Sequence, residues 1–160
     1  MLRRAAAFVV AAVAMVLLGS AAHSYFVQQA WSNAAGNADG TAPAAIPFDV
    51  RIAWAAHDLI GMFVPYCGVT SLALVVAFVL AGGVARFTGF RVVVFGIAGA
   101  AAIFVLFTVM RTLLGTVGIF GARGAVGLAA QMAVGALAGV LFARSTGPPN
   151  PPLSPTTGAK

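Results

Sequence analysis

Four long apolar stretches alternate with polar segments along the 160-residue chain. They run from Ala5 to Ala22, from Leu59 to Ala81, from Val92 to Met110 and from Gly124 to Ala143. Each is close to the roughly 20 residues of helix that cross about 30 Å of hydrocarbon. Because lipid tolerates only backbone whose hydrogen bonds are closed, the pattern predicts an all-α integral membrane protein with four transmembrane helices in an antiparallel bundle.

The polar segments divide the chain into one membrane domain, residues 1–146, and a tail, residues 147–160. The small, polar run from Ser32 to Pro47 is punctuated by glycine and proline, which is typical of a loop. The prolines after Gly147 are typical of a disordered, polyproline-like cytoplasmic tail. We therefore expect helices over approximately residues 5–27, 57–83, 91–110 and 123–144, with an outer loop over residues 28–56.

Positive charges predict which side of the membrane each connection occupies. Six of the nine cations fall on one side of the predicted bundle, while three cations and all three acids fall on the other. The first side carries Arg3, Arg4, Arg86, Arg91, Arg144 and Lys160, and the second carries Arg51, Arg111, Arg123, Asp39, Asp49 and Asp58. Since cytoplasmic loops carry an excess of lysine and arginine, both termini are expected in the cytoplasm. The alanine- and arginine-rich, lysine-poor composition favours a bacterial inner membrane.

The first apolar segment has a second interpretation, as a cleaved signal peptide. Arg3 and Arg4 precede an apolar core, and the small residues Ser20 and Ala22 fit a cleavage site after Ala22. A retained helix is favoured because the apolar run is long for a signal peptide. Cleavage would leave the mature N-terminus outside the cell and the other three helices unchanged.

The segment between Arg111 and Arg123 is too short to form a further span. Twelve residues make about 18 Å of helix, so both arginines are expected at the outer interface, joined by a tight connection or shallow re-entrant hairpin over residues 112–123. Its glycines favour turns. Free amides at the start of the fourth helix favour an anion, such as a lipid phosphate, beside Arg111 and Arg123, although interfacial snorkelling explains these arginines equally well.

Composition excludes several classes of protein. The chain is 61% hydrophobic and 8% charged, with a mean hydropathy of +1.02, and a water-soluble domain has about a quarter of charged residues. Apart from the adjacent Arg3 and Arg4, the nine cations are scattered singly, so they form no basic stripe for nucleic acid. Cys67 is the only cysteine, which excludes an intrachain disulfide and a cysteine-based metal site.

Motifs for catalysis or cofactor binding are missing from the sequence. It contains no phosphate-binding glycine loop followed by lysine, no H-E-x-x-H, no G-x-S-x-G and no paired carboxylates within a helix. Enzymes need positioned acids, bases or metals, and this chain has three acids and two histidines. We therefore expect no catalytic residue, no metal and no cofactor.

The fourth predicted helix has the clearest face. Gly127, Gln131, Gly135 and Gly139 recur every four residues, and "GALAG" matches G-x-x-x-G. Such a face allows close backbone approach, and Gln131 is expected to point inward and hydrogen-bond a neighbouring helix. The packing partner is either within this chain or in another copy of it.

Pro65 lies inside the second predicted helix, where it frees the carbonyl near Gly61 and predicts a kink. Tyr66, Thr70 and Ser71 are candidates to re-satisfy the backbone around it. A transporter would use such a broken helix to expose carbonyl groups to an ion, so this feature leaves transport open.

His23 and His57, the two histidines of the sequence, are the candidates for a cofactor site. Both are expected near the outer face, where bis-imidazole ligation of a haem or metal is conceivable. The alternative is that His57, and Asp58 next to it, bond to headgroups, loop carbonyls or the outer arginines. Ligation would make the protein a haem- or quinone-linked redox subunit.

The sequence as a whole favours a structural or interaction role, as an accessory subunit or a self-associating scaffold, because small-residue faces occur with almost no charge inside the spans. The expected partners are the lipid bilayer, other membrane subunits and copies of the chain. The alternative is an oligomeric small channel or transporter. The four spans resemble small multidrug-resistance transporters in size, but that family depends on an acidic residue in its first helix, and Ala5 to Ala22 contains none.

Overall fold

A computed structural model describes residues 1–40, 45–115 and 122–147, and these residues form four helices. The helices are α1 (Leu2–Asp39), α2 (Phe48–Thr88), α3 (Arg91–Leu114) and α4 (Ala125–Ser145). Each is long and apolar enough to cross a membrane, by length and composition. This confirms the prediction of an all-helical chain with four potential spans.

The predicted outer loop over residues 28–56 is wrong at both ends. α1 continues to Asp39 and α2 already begins at Phe48. Residues 28–39 contain four alanines and no proline. Because alanine is the strongest helix former, the helix continues beyond its apolar residues. Pro47 then occupies the position before α2 with φ −55°, which suits the start of a helix.

Two other predicted segments lie mostly outside the described residues. α3 continues through Leu114, and most of the predicted hairpin over residues 112–123 falls at residues 116–121, outside them. The predicted tail, residues 147–160, lies outside them apart from Gly147.

The connection between α2 and α3 consists of only Gly89 and Phe90. Gly89 has φ 72° and donates its amide to the Ala85 carbonyl at 3.3 Å. This left-handed conformation is the usual one for a helix C-cap, and glycine adopts it without steric cost. The short turn therefore brings the start of α3 back beside the end of α2.

The most extensive helix contacts join α1 to α2 and α4, and α3 to α2 and α4. The contact between α3 and α4 is the most extensive. Apolar side chains fill the centre of these contacts, among them Met15, Leu74, Phe95, Ile103 and Phe107.

The backbones of α3 and α4 touch directly where glycines face each other. A Cβ atom added to Gly99 would lie 2.0 Å from the Gly135 carbonyl oxygen, and one added to Gly139 would lie 2.0 Å from the Phe95 carbonyl oxygen. Neither position has space for a side chain. Since lipid supplies no hydrophobic drive for helix association, this close van der Waals contact is a main source of α3–α4 stability.

Replacing Gly139 with alanine tests the backbone contact. Gly139→Ala is expected to lower the free energy of unfolding by about 1–3 kcal/mol, because α3 and α4 must separate to admit the methyl group. The measurement is reversible unfolding in mixed detergent micelles. Gly83→Ala is the matched control because a Cβ there meets nothing within 4 Å, and it should be neutral or slightly stabilising. Equal losses in the two variants would contradict the account.

Candidate functional site

A buried amide joins three helices at the centre of the protein. The side chain of Gln131 in α4 is 0% exposed. Tyr66 Oη of α2 donates to Gln131 Oε1 at 2.7 Å, and Gln131 Nε2 donates to the Gly19 carbonyl oxygen of α1 at 2.9 Å. We refer to Gly19, Tyr66 and Gln131 as the amide contact. It connects α4 to both α1 and α2.

Local sequence explains how the amide contact fits between the helices. Gln131 shares one buried face of α4 with Gly127, Gly135 and Gly139, so this side of α4 is close to its neighbours. In α1, a Cβ added to Gly19 would lie 2.1 Å from Tyr66 Oη. The missing side chain of Gly19 is therefore what lets the tyrosine hydroxyl reach Gln131.

Pro65 lies directly before Tyr66, and α2 continues on both sides of it. The Thr70 hydroxyl donates to the Tyr66 carbonyl at 2.6 Å, one turn further along the helix. The proline side chain is exposed while Tyr66 is buried. The predicted kink at Pro65 remains a prediction.

The polar side-chain atoms at and beside the amide contact form their hydrogen bonds within the protein. Gln131 uses both its oxygen and its nitrogen within the chain, and Thr70 bonds to its own helix. A buried polar group is costly unless it is hydrogen-bonded, and both of these side chains have partners within the protein. The geometry therefore favours helix packing over ligand contact for Gln131.

A second polar layer joins α1 to α2 nearer the end of α1 and the start of α2. Ser24 Oγ donates to Asp58 Oδ2 at 2.7 Å. Further along, Gln28 and Arg51 form two hydrogen bonds, from Gln28 Nε2 to the Arg51 carbonyl at 3.0 Å and from Arg51 Nε to Gln28 Oε1 at 2.9 Å. The Trp31 and Trp54 rings meet edge to face beyond them, 5.6 Å apart.

The two histidines lie in different environments. His23 is 8% exposed and lies within electrostatic range of Asp58, whereas His57 lies on the exposed side of α2. Within the described residues, no group of three or more His, Cys, Asp or Glu side chains could hold a metal ion. Ligation of one haem by both histidines stays a prediction, and a shared ligand would need both imidazoles to face one space.

Arg111 and Arg123 are both exposed. Arg111 belongs to the last turn of α3, and Arg123 comes just before Gly124, the N-cap of α4. Residues 116–121, which connect the two arginines along the chain, lie outside the described segments. Binding of a lipid phosphate at these arginines stays a prediction.

A cavity of about 690 Å³ lies at the opposite end of the protein. We name it the arginine cavity because three arginines from three different helices line it, over a floor of phenylalanines. Its main lining residues are Arg4, Phe8, Phe78, Val79, Arg86, Arg91, Phe95 and Phe142. Sequence reasoning interpreted these arginines only as topology signals. Their assignment to the same side was the one signal that could have pointed to a shared site.

Arg3 and Arg91 bind the C-terminal end of α4, and Arg91 also lines the cavity. Arg3 Nε donates to the Ser145 carbonyl at 3.0 Å, and Arg91 donates to the Ala143 carbonyl and the Thr146 hydroxyl. The last carbonyls of a helix have no partner within it and carry partial negative charge, so cations are favourable there. These bonds place the first turns of α1 and α3 beside the last turn of α4.

A double-mutant cycle measures the amide contact. Tyr66→Phe, Gln131→Leu and the double variant are compared with the unaltered protein by reversible unfolding in mixed micelles. Each single variant leaves a buried partner unsatisfied, so the coupling free energy is expected to be about 0.6–1.7 kcal/mol, the range for hydrogen bonds between membrane helices. Additive effects would show that the two side chains do not interact in the protein. A cycle of Tyr66→Phe with Thr108→Val, an exposed residue of α3, serves as the uncoupled control.

No protein-family model matches the chain, and comparison with curated proteins and with solved structures finds no match.

Proposed function

We propose that this protein is a multi-pass protein of the bacterial inner membrane with a structural or interaction role, as an accessory subunit or a self-associating scaffold. Its four helices cross the bilayer as an antiparallel bundle. Both termini lie in the cytoplasm, on the side of the six cations. It carries out no catalysis of its own.

The main observation behind the proposal is the length of α1 and α2. At about 1.5 Å per residue, α1 with 38 residues and α2 with 41 residues reach about 57 and 61 Å. α3 and α4, with 24 and 21 residues, reach about 36 and 32 Å, close to the ~30 Å hydrocarbon core. α1 and α2 are therefore far longer than a span requires.

The amide contact indicates which part of α1 and α2 extends beyond the other helices. Gln131 lies six residues after the first residue of α4, Ala125, or about 9 Å along the helix. Gly19 and Tyr66 lie at the same depth as Gln131 because they bond to it. The start of α4 is therefore level with about residue 25 of α1 and residue 60 of α2. We name residues 26–39 and 48–60 the helical extension.

The helical extension has the properties of a binding platform. The Gln28–Arg51 bonds and the Trp31–Trp54 contact hold its two helices together. Its surface includes apolar side chains that nothing in the described part of the chain covers: Phe48 is 76% and Ile52 is 54% exposed. Large aromatic and aliphatic side chains of this kind anchor protein interfaces. An interaction role explains why these side chains lie exposed on the helical extension, outside the hydrocarbon.

The hydrogen bonds of polar side chains also favour a structural or interaction role over transport. Gln131 and Thr70, two residues that would line a polar path, are bonded within the bundle. Thr108, a third, is exposed and bonds to the Phe104 carbonyl of its own helix. These bonds stabilise helix packing. They leave few polar groups available to a permeating solute.

Purification in mild detergent, followed by mass spectrometry of co-purifying proteins, tests the proposal. The unaltered protein is expected to retain a stoichiometric partner subunit or to form a homo-oligomer. The double variant Phe48→Ser/Ile52→Ser should lower recovery of that partner or oligomer at least tenfold, because burying each exposed side chain contributes about 1.5–3 kcal/mol. Phe87→Ser is the matched control: Phe87 is 91% exposed at the other end of α2, and its loss should leave the assembly unchanged.

Three results would contradict the proposal. They are a lone monomer in every mild detergent tested, an equal loss of partner in the Phe87→Ser control, and a homo-oligomer that takes up solute in proteoliposomes. The last result would move the protein to the channel or transporter class.

A further inference from the structure

The arginine cavity is formed by the ends of all four helices. Arg4 comes from the first turn of α1, Arg86 from the last turn of α2 and Arg91 from the first residue of α3, while Phe142 belongs to the last turn of α4. Residues distant in the sequence therefore converge on one space of about 690 Å³.

The lining of the cavity contains three arginines and no acidic residue. Arg4 lies close enough to Arg91 for their charges to repel. Among residues 1–40, 45–115 and 122–147, neither Arg4 nor Arg86 has a hydrogen-bonding or ion-pair partner. The three acids of the whole sequence, Asp39, Asp49 and Asp58, belong to the helical extension at the other end of α1 and α2. An external anion is the natural counter-charge for such a cluster.

The floor of the cavity is apolar and aromatic. Phe78 stacks on Phe142 with ring centres 4.8 Å apart, and Phe8 meets Phe78 edge to face at 6.3 Å. The Arg91 guanidinium lies 4.9 Å from the centre of the Phe95 ring, a cation–π contact that keeps this cation on the aromatic floor. Val79 of α2 is also in the lining and is exposed. The cavity thus combines a cationic rim with a hydrophobic base.

This combination fits a charged amphiphile better than a small ion. Inorganic phosphate would use the arginines but leave the phenylalanine floor without a partner. A phospholipid has a phosphate for the cations and acyl chains for the apolar lining. The arginines also lie at helix ends, at the level where the phosphates of a surrounding leaflet would lie.

We propose that the arginine cavity binds one anionic phospholipid of the cytoplasmic leaflet. Its phosphate lies among Arg4, Arg86 and Arg91, and an acyl chain follows Phe8, Phe78 and Val79. The site rests on the proposed membrane placement and orientation, but it is independent of any partner at the helical extension. It is also separate from Arg111 and Arg123, which belong to the other ends of α3 and α4.

Native mass spectrometry of the purified protein with added phosphatidylglycerol or phosphatidylcholine of identical chains tests the site. One phosphatidylglycerol is expected to bind in preference to phosphatidylcholine. The double variant Arg4→Gln/Arg86→Gln should weaken phosphatidylglycerol binding about 25-fold, since one cation near an anionic lipid accounts for about fivefold. Arg91 is left intact because it also bonds to the end of α4.

The control variant is Arg144→Gln, which removes one positive charge from an exposed position at the same end, outside the cavity lining, and it is compared with the single variant Arg86→Gln, for which about a fivefold loss is expected. The control should bind phosphatidylglycerol as the unaltered protein does. If the control loses phosphatidylglycerol binding to the same extent per charge removed, the effect is a general attraction between a cationic protein and an anionic lipid, and the site is overturned. Equal binding of the two lipids would also overturn it. Binding of inorganic phosphate as tight as that of phosphatidylglycerol would replace the lipid with a free anion.

Alkaline carbonate extraction of the same cells separates failure of this site from failure of the membrane placement. Protein that stays in the membrane pellet without lipid preference contradicts the phospholipid site alone. Protein that is extracted contradicts the membrane placement on which the site rests.

Discussion

Helices in a lipid bilayer gain no hydrophobic free energy by packing against one another, so close contact and buried hydrogen bonds must hold them together. This protein has both in its centre. Gly99, Gly135 and Gly139 bring the backbones of α3 and α4 into contact, and the amide contact ties α4 to α1 and α2. The apolar side chains on the outside of the helices are then free to face lipid.

The two ends of the molecule differ because of that central arrangement. At one end α1 and α2 extend beyond α3 and α4, and the Gln28–Arg51 bonds hold the resulting helical extension together. At the other end the four helices finish close together, so Arg3 and Arg91 reach the carbonyls of α4 while Arg4 and Arg86 line a cavity. All three acids lie at the first end and the three arginines of the cavity lie at the second, an asymmetry that suits a protein with a fixed orientation in a membrane.

Sequence patterns could predict the number of helices because apolar length alone determines whether a helix can span lipid. They failed on residues 28–56, since hydropathy falls at the end of the apolar part while alanine-rich polar sequence continues the helix. The shared face of Gln131 follows from its spacing to the glycines. Its partners Gly19 and Tyr66 do not, because contacts between distant segments depend on helix rotation and depth. The arginine cavity was missed for the same reason.

Membrane placement with the helical extension outside and the arginine end inside is the central claim, and sided thiol labelling tests it most directly. In a Cys67→Ser background, single cysteines replace Asn33 in the extension and Ser145 at the end of α4, both exposed positions. A membrane-impermeant maleimide applied to sealed spheroplasts should label Asn33→Cys, and it should label Ser145→Cys only after the membrane is permeabilised. Equal labelling of both cysteines in sealed spheroplasts would contradict the account.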